Sequence, residues 1–203
     1  MTDVTVSAPA TIAPPEQALA RPDFRIVPVA GLPVVAVVLA GLVAAIESNR
    51  LWALDFFHVV GGGLWTGIDL FLGFVIGPIL GRLSVPARIE FTTRLMPKML
   101  LLMPTLVTMT LAAGWQLARH VGTLTASDPN HGWVVASFVV VGVMAIVAIG
   151  FLEPANLAVL FELKKPRPNR DLIARLMRRF VYTAGITGAM QVATLVIMTR
   201  LAS

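Results

Sequence analysis

Five stretches of this chain are long and apolar enough to cross a lipid bilayer, and they restrict the fold more than any other feature. They fall at about residues 26–46, 53–80, 95–118, 132–163 and 180–201, each near the roughly 20 residues a spanning helix requires. In hydrocarbon every backbone N–H and C=O must be paired within the protein, which spanning segments of this length achieve as helices. The expected fold is therefore all-α, a polytopic bundle of five membrane-spanning helices over residues 26–203. The second and fourth stretches exceed a bilayer width and should tilt, kink or protrude. Pro154 deprives the Gly150 carbonyl of its donor and should bend the fourth helix, and Pro104 is placed to do the same in the third.

Residues 1–25 are rich in Pro, Ala, Ser and Thr without helical periodicity, and are expected to form a disordered tail. They do not read as a signal peptide, because no basic start leads directly into a short apolar core. Apolar residues make up 57% of the chain and charged residues 13%, against roughly 25% charged in soluble domains. The expected partner is thus the bilayer.

The net charge of +5 points to cytoplasmic loops rather than to nucleic acid. Thirteen of the sixteen Lys and Arg lie in the tail and in the second-to-third and fourth-to-fifth connections with their flanks. Arg50, Arg119 and Arg200 lie opposite. This asymmetry predicts an inner (plasma) membrane protein with its N-terminus cytoplasmic and its C-terminus outside. Trp52, Trp115 and Trp133 then fall near the outer boundary, as an aromatic belt would.

The chain has no cysteine, which excludes disulfides, thiolate metal sites and Cys nucleophiles. It also lacks a Ser/His/Asp arrangement, a phosphate-binding glycine loop and an HExxH motif. The chemistry-bearing residues sit instead inside the apolar stretches. Residues 54–80 read LDFFHVVGGGLWTGIDLFLGFVIGPIL, where His58 and Asp69 would be expensive facing lipid. On a helix His58, Gly62, Trp65 and Asp69 share one face. Thr105, Met109, Gln116 and His120 share a side of the third helix. Thr183, Thr187, Gln191, Thr194 and Met198 share a side of the fifth. Such stripes form a polar seam, whose plainest role is to join helices by hydrogen bonds.

All three histidines fall on the expected outer side. His58 lies just inside the end of the second helix, His120 ends the third and His131 opens the fourth. One chemistry such residues serve is haem b, with His58 as axial ligand beside Gly61, Gly62 and Trp65, and His120 as the candidate second ligand. The other is copper, with His58, His120, His131 and Met198 as donors. Asp69 and Glu153, as intramembrane carboxyls, are candidate proton-handling groups. Asp69 stands 11 residues beyond His58, roughly 16 Å along a helix axis, which suits two ends of a water-linked path.

The pattern His58-x-x-Gly61-x-x-x-Trp65-x-Gly67 resembles the signature of the copper-resistance protein D group. It is also similar to the HemJ-type protoporphyrinogen oxidases, and more faintly to the membrane part of bacterial cytochrome-linked urate oxidases. The stretch 94–118, with its basic start, Pro104 and Gly114, resembles the helix that follows in the HemJ-type proteins. The resemblance covers about residues 50–120. It implies a helical membrane bundle in which His58 is a haem b ligand or part of a copper-handling site. HemJ-type proteins carry a further histidine near the far end of that helix, where this chain reads GFVIGPILGRL. That departure counts against protoporphyrinogen oxidase activity. The copper group has more helices and often a soluble copper-binding partner domain.

Together these readings predict a haem b-binding redox or electron-transfer subunit with an outward-facing histidine site. It would work with other membrane subunits or as a homo-oligomer, and five helices without a soluble domain leave little room for a self-sufficient enzyme. The alternatives are a copper transport or delivery protein, and a cofactor-free structural or assembly subunit.

Overall fold

The computed structural model describes residues 24–165 and 168–201. The predicted tail lies almost wholly outside them. The chain enters through a single 3-10 turn at Val29–Gly31 and then forms five helices: α1 (Leu32–Ser48), α2 (Leu51–Arg82), α3 (Val85–Val121), α4 (His131–Lys164) and α5 (Arg170–Leu201). All five are long and apolar enough to cross a membrane, and among the described residues there is no strand. The all-α bundle expected from the sequence is what the chain forms.

The joints follow from local chemistry. Asn49 ends α1 and Gly122 ends α3, each in the left-handed conformation (φ 47° and 84°), which these two residue types adopt most readily. Leu83 and Ser84 alone separate α2 from α3, and the Arg88 guanidinium donates back to the Gly81 and Leu83 carbonyls at 3.2 and 3.3 Å. Between α4 and α5 the Glu162 carboxylate accepts from Lys165 Nζ and from the Asn169 backbone N–H, and Asn169 Oδ1 in turn accepts from the Leu172 N–H at 3.0 Å.

Two helices begin earlier than their apolar stretches. α3 starts at Val85 rather than near 95, and α5 at Arg170 rather than near 180. Hydropathy marks where a helix enters lipid. It does not mark where the helix begins, because the Arg, Glu, Ala, Leu and Met of these leading turns are good helix formers. Pro86 sits in the first turn of α3, where its missing N–H costs nothing.

The prolines act unevenly. α3 stays α-helical across Pro97 and Pro104. In α4 the turn Ala148–Leu152, just ahead of Pro154, has π-helical hydrogen bonding, so the expected disturbance at Gly150 is present. A second π-helical segment, Phe71–Ile76, precedes Pro78 in α2 and was not expected from the sequence.

The most extensive packing is between α2 and α3. α3 also contacts α1 and α4, and α5 contacts α4 and α2. The four helices α2–α3–α4–α5 thus form a ring, with α1 laid against α3 and α2. The core around Leu42, Trp65, Leu106, Val107, Met109, Ala113, Val141 and Met144 is apolar. So is the outer surface, where Val37, Phe74, Ile146 and Val196 are among the most exposed residues. The buried polar side chains are Asp69, Asn156, Thr187 and Gln191 among others. Apolar groups outside and polar groups inside is the distribution a bilayer demands.

Candidate functional site in the bundle interior

His58 lies on the α2–α3 seam. Its Nδ1 is 2.9 Å from the Thr110 carbonyl, so Nδ1–H is the donor and Nε2 carries the lone pair. The Nδ1–Cε1 edge of the ring sits close against the third helix because residue 114 is glycine. A Cβ there would stand 2.6 Å from His58 Cε1 and Nδ1. Thr110 and Gly114 are four apart, the small-x-x-x-small spacing that lets membrane helices approach. That spacing was the available sequence signal for this contact.

The glycines that follow have distinct surroundings. A Cβ on Gly61 would meet Thr110 Oγ1 at 2.9 Å and Met109 Cβ at 3.0 Å, and one on Gly62 would meet Thr110 Cγ2 at 3.4 Å, while one on Gly63 would meet nothing within 4 Å. The Gly61–Gly62 face is therefore filled by α3. It does not form the open platform that a planar macrocycle beside His58 would need. The predicted second ligand, His120, is exposed and stands six residues beyond Gly114, about 9 Å along the axis of α3.

The other proposed donors are dispersed. His131 Nδ1 approaches the Thr123 carbonyl at 3.3 Å, and Met198 is half-buried near the end of α5. Among the described residues no three His, Asp or Glu side chains come together as a metal-holding group. Most of the threonine stripe is turned back on its own helices. Thr105, Thr110, Thr183, Thr187 and Thr194 each donate to a carbonyl three or four residues earlier. Gln116 instead donates to Asn49 Oδ1 at 2.9 Å, tying α3 to the α1–α2 joint.

The ring of four helices encloses the more complete site. A cavity of about 40 Å³ is lined by Trp65, Asp69, Glu153 and Asn156, with Met99, Met103 and Pro104 from α3 and Phe180 and Ala184 from α5. One water needs about 10–15 Å³ on this measure, so the cavity has room for roughly three. Gln191 Nε2 donates to Asp69 Oδ2 at 2.8 Å across the α2–α5 contact. The Trp65 indole N–H, one turn before Asp69, faces the same carboxyl without completing a hydrogen bond.

Several polar atoms here are buried and unpartnered: Trp65 Nε1, Glu153 Oε2, Asn156 Oδ1 and Gln191 Oε1. Asn156 and Gln191 are 3% and 1% exposed. Such atoms cost about 1–3 kcal/mol each when left unpaired; those of Trp65, Glu153 and Asn156 belong to residues that line the cavity, and Gln191 is joined to it through Asp69. The sequence pointed to Asp69 and Glu153 separately. Their meeting across one cavity, with Gln191 and Asn156 beside them, depends on the ring order of the helices.

Compared with known proteins, the chain matches no family model, no curated protein and no solved structure.

Proposed function

We propose that this is an inner-membrane protein that passes protons through its interior, oriented with its N-terminus cytoplasmic. The single observation that carries the reading is the cavity shared by Asp69 and Glu153, with its unpartnered polar atoms and room for water. A buried carboxyl can take up and release a proton only if a neighbour or water can relay it. Gln191 holds Asp69 by Oδ2 and leaves Oδ1 for a proton. Across the cavity Glu153 Oε2 is the matching acceptor. The excess of Lys and Arg at one end of the bundle supports the orientation.

A hydrophobic carbodiimide tests this, because it forms adducts with protonated carboxyls inside membranes. The expected result is an adduct on Asp69 or Glu153 in the membrane-embedded protein, located by peptide mass spectrometry. It should be absent when that residue is the corresponding amide. Modification of neither residue, under conditions that modify a buried carboxyl of a control membrane protein, would contradict the reading.

A second reading is that His58 binds haem b or copper in an electron-transfer or metal-delivery role. The observation favouring it is the Nδ1–Thr110 hydrogen bond, because a backbone carbonyl on one imidazole nitrogen is the arrangement that orients the other toward a metal. The filled Gly61–Gly62 face does not fit a haem lying between α2 and α3, so any such group would have to meet His58 from outside the seam. A bound haem would supply one-electron chemistry at that histidine. The expected signature is a reduced-minus-oxidised haem spectrum of the purified protein that His58→Ala abolishes. A flat spectrum after expression with ample haem, with no Cu(I) uptake, would remove this reading and leave the interior site untouched.

A further inference from the structure

A second concavity lies on the outside of the bundle, between α4 and α5, and shares only Phe180 with the lining of the interior cavity. It is a cleft of about 270 Å³ lined by Gly150, Phe151, Pro154, Ala155 and Ala158 of α4 and by Leu176, Arg179, Phe180 and Thr183 of α5. Its form follows from the sequence. The π-helical turn Ala148–Leu152 and the proline behind it open the α4 surface. Gly150, Ala155 and Ala158 then leave the floor low. Thr183 is the one hydroxyl in the wall, and it donates to the Arg179 carbonyl at 2.8 Å, so it offers the cleft no free donor. From Gly150 to Ala158 the groove runs about 12 Å along α4.

Its ends differ. Gly150 lies deep in the apolar span, whereas Leu176, Arg179 and Ala158 lie toward the basic end, where Arg175 and Arg178 also stand. Arg179 is exposed and makes no ion pair among the described residues. The apolar part of α5 begins with Phe180, which puts the guanidinium at headgroup depth. An apolar groove at membrane depth that ends on an unpaired arginine complements one kind of molecule: an acyl chain joined to an anion. Basic pockets between membrane helices on the positively charged side bind anionic lipid headgroups in this way.

We infer that the α4–α5 cleft is a binding site for an anionic phospholipid, with the phosphate on Arg179 and one acyl chain over Gly150, Ala155 and Ala158. The chain contributes contact area and the guanidinium discriminates charge, so neither half suffices alone.

The test compares the full-length protein in nanodiscs of phosphatidylcholine with and without phosphatidylglycerol, reading the thermal unfolding midpoint. Phosphatidylglycerol should raise the midpoint of the parent. Arg179→Gln should lose at least half of that rise, and so should Ala158→Leu, which fills the floor of the groove. Arg178→Gln, one residue and about 100° around the helix away, should keep it. Glycerol phosphate in solution should give no rise. Equal midpoints in both lipids would overturn the proposal, as would a full rise in Arg179→Gln or in Ala158→Leu. A rise produced by glycerol phosphate alone would assign the arginine to a free anion and overturn the lipid site. Arg179 and Ala158 both lie at the outer surface, so the variants keep the fold. Count of co-purifying phosphatidylglycerol by native mass spectrometry supplies a readout independent of stability.

Discussion

Gly61→Leu will separate α2 from α3 and destabilise the protein, whereas Gly63→Leu, two residues along, will leave it intact. The two glycines belong to one run of three, and the sequence sets Gly61 beside His58 without saying what fills the space next to it. At Gly61 the first added carbon already falls 2.9 Å from Thr110 Oγ1 and 3.0 Å from Met109 Cβ, and 3.2 Å from the Thr110 backbone nitrogen. Backbone cannot step aside locally, so the helices must part. Overpacking of this kind costs about 1–3 kcal/mol and occasionally more. The larger figure is expected here, because His58 rides on the same seam through Thr110 and Gly114. At Gly63 an added carbon meets nothing within 4 Å and the position is exposed, so a leucine there faces lipid. Thermal unfolding in detergent will show a much lower midpoint for Gly61→Leu and one near the parent for Gly63→Leu. Equal midpoints would mean that α2 and α3 do not meet along this face.

Asp69→Asn and Glu153→Gln will each reduce proton movement through the protein at least about tenfold, the effect of a barrier raised by about 1.4 kcal/mol. Both substitutions keep the size and planarity of the side chain. An asparagine at 69 can still accept from Gln191 Nε2, so the α2–α5 contact persists and the bundle should fold. What each variant loses is a group that can gain and release a proton at the cavity. Asp69 and Glu153 stand on different helices of the ring, so a path through the cavity needs both, and neither variant should retain the parent rate. A loss in one variant alone would reduce the second carboxyl to a structural role.

Much of this architecture was legible in the sequence because the bilayer imposes a simple rule. Spans of apolar residues must become helices, and their number and order can be counted directly. Membrane-buried carboxyls are equally conspicuous, so Asp69 and Glu153 stood out without a structure. Helix ends were less legible, since the leading turns of α3 and α5 are helical and charged at once. Gly61 and Gly62 were ambiguous for a physical reason. A small residue leaves space, and only the structure shows whether a ligand or a neighbouring helix takes it, and Thr110 takes it. Gln191 was visible as one member of a stripe, yet its partner Asp69 lies 122 residues away. That pairing follows from α5 packing beside α2, which no local periodicity specifies.

Proton uptake by vesicles reports whether the interior carboxyls pass protons. The purified protein is reconstituted into liposomes that enclose a pH-sensitive dye, and a potassium diffusion potential, negative inside, is imposed with valinomycin. Acidification should be faster than in protein-free vesicles, and should fall at least about tenfold with Asp69→Asn and with Glu153→Gln at equal protein incorporation. Acidification no faster than in protein-free vesicles, or unchanged in both variants, would contradict proton passage by these carboxyls.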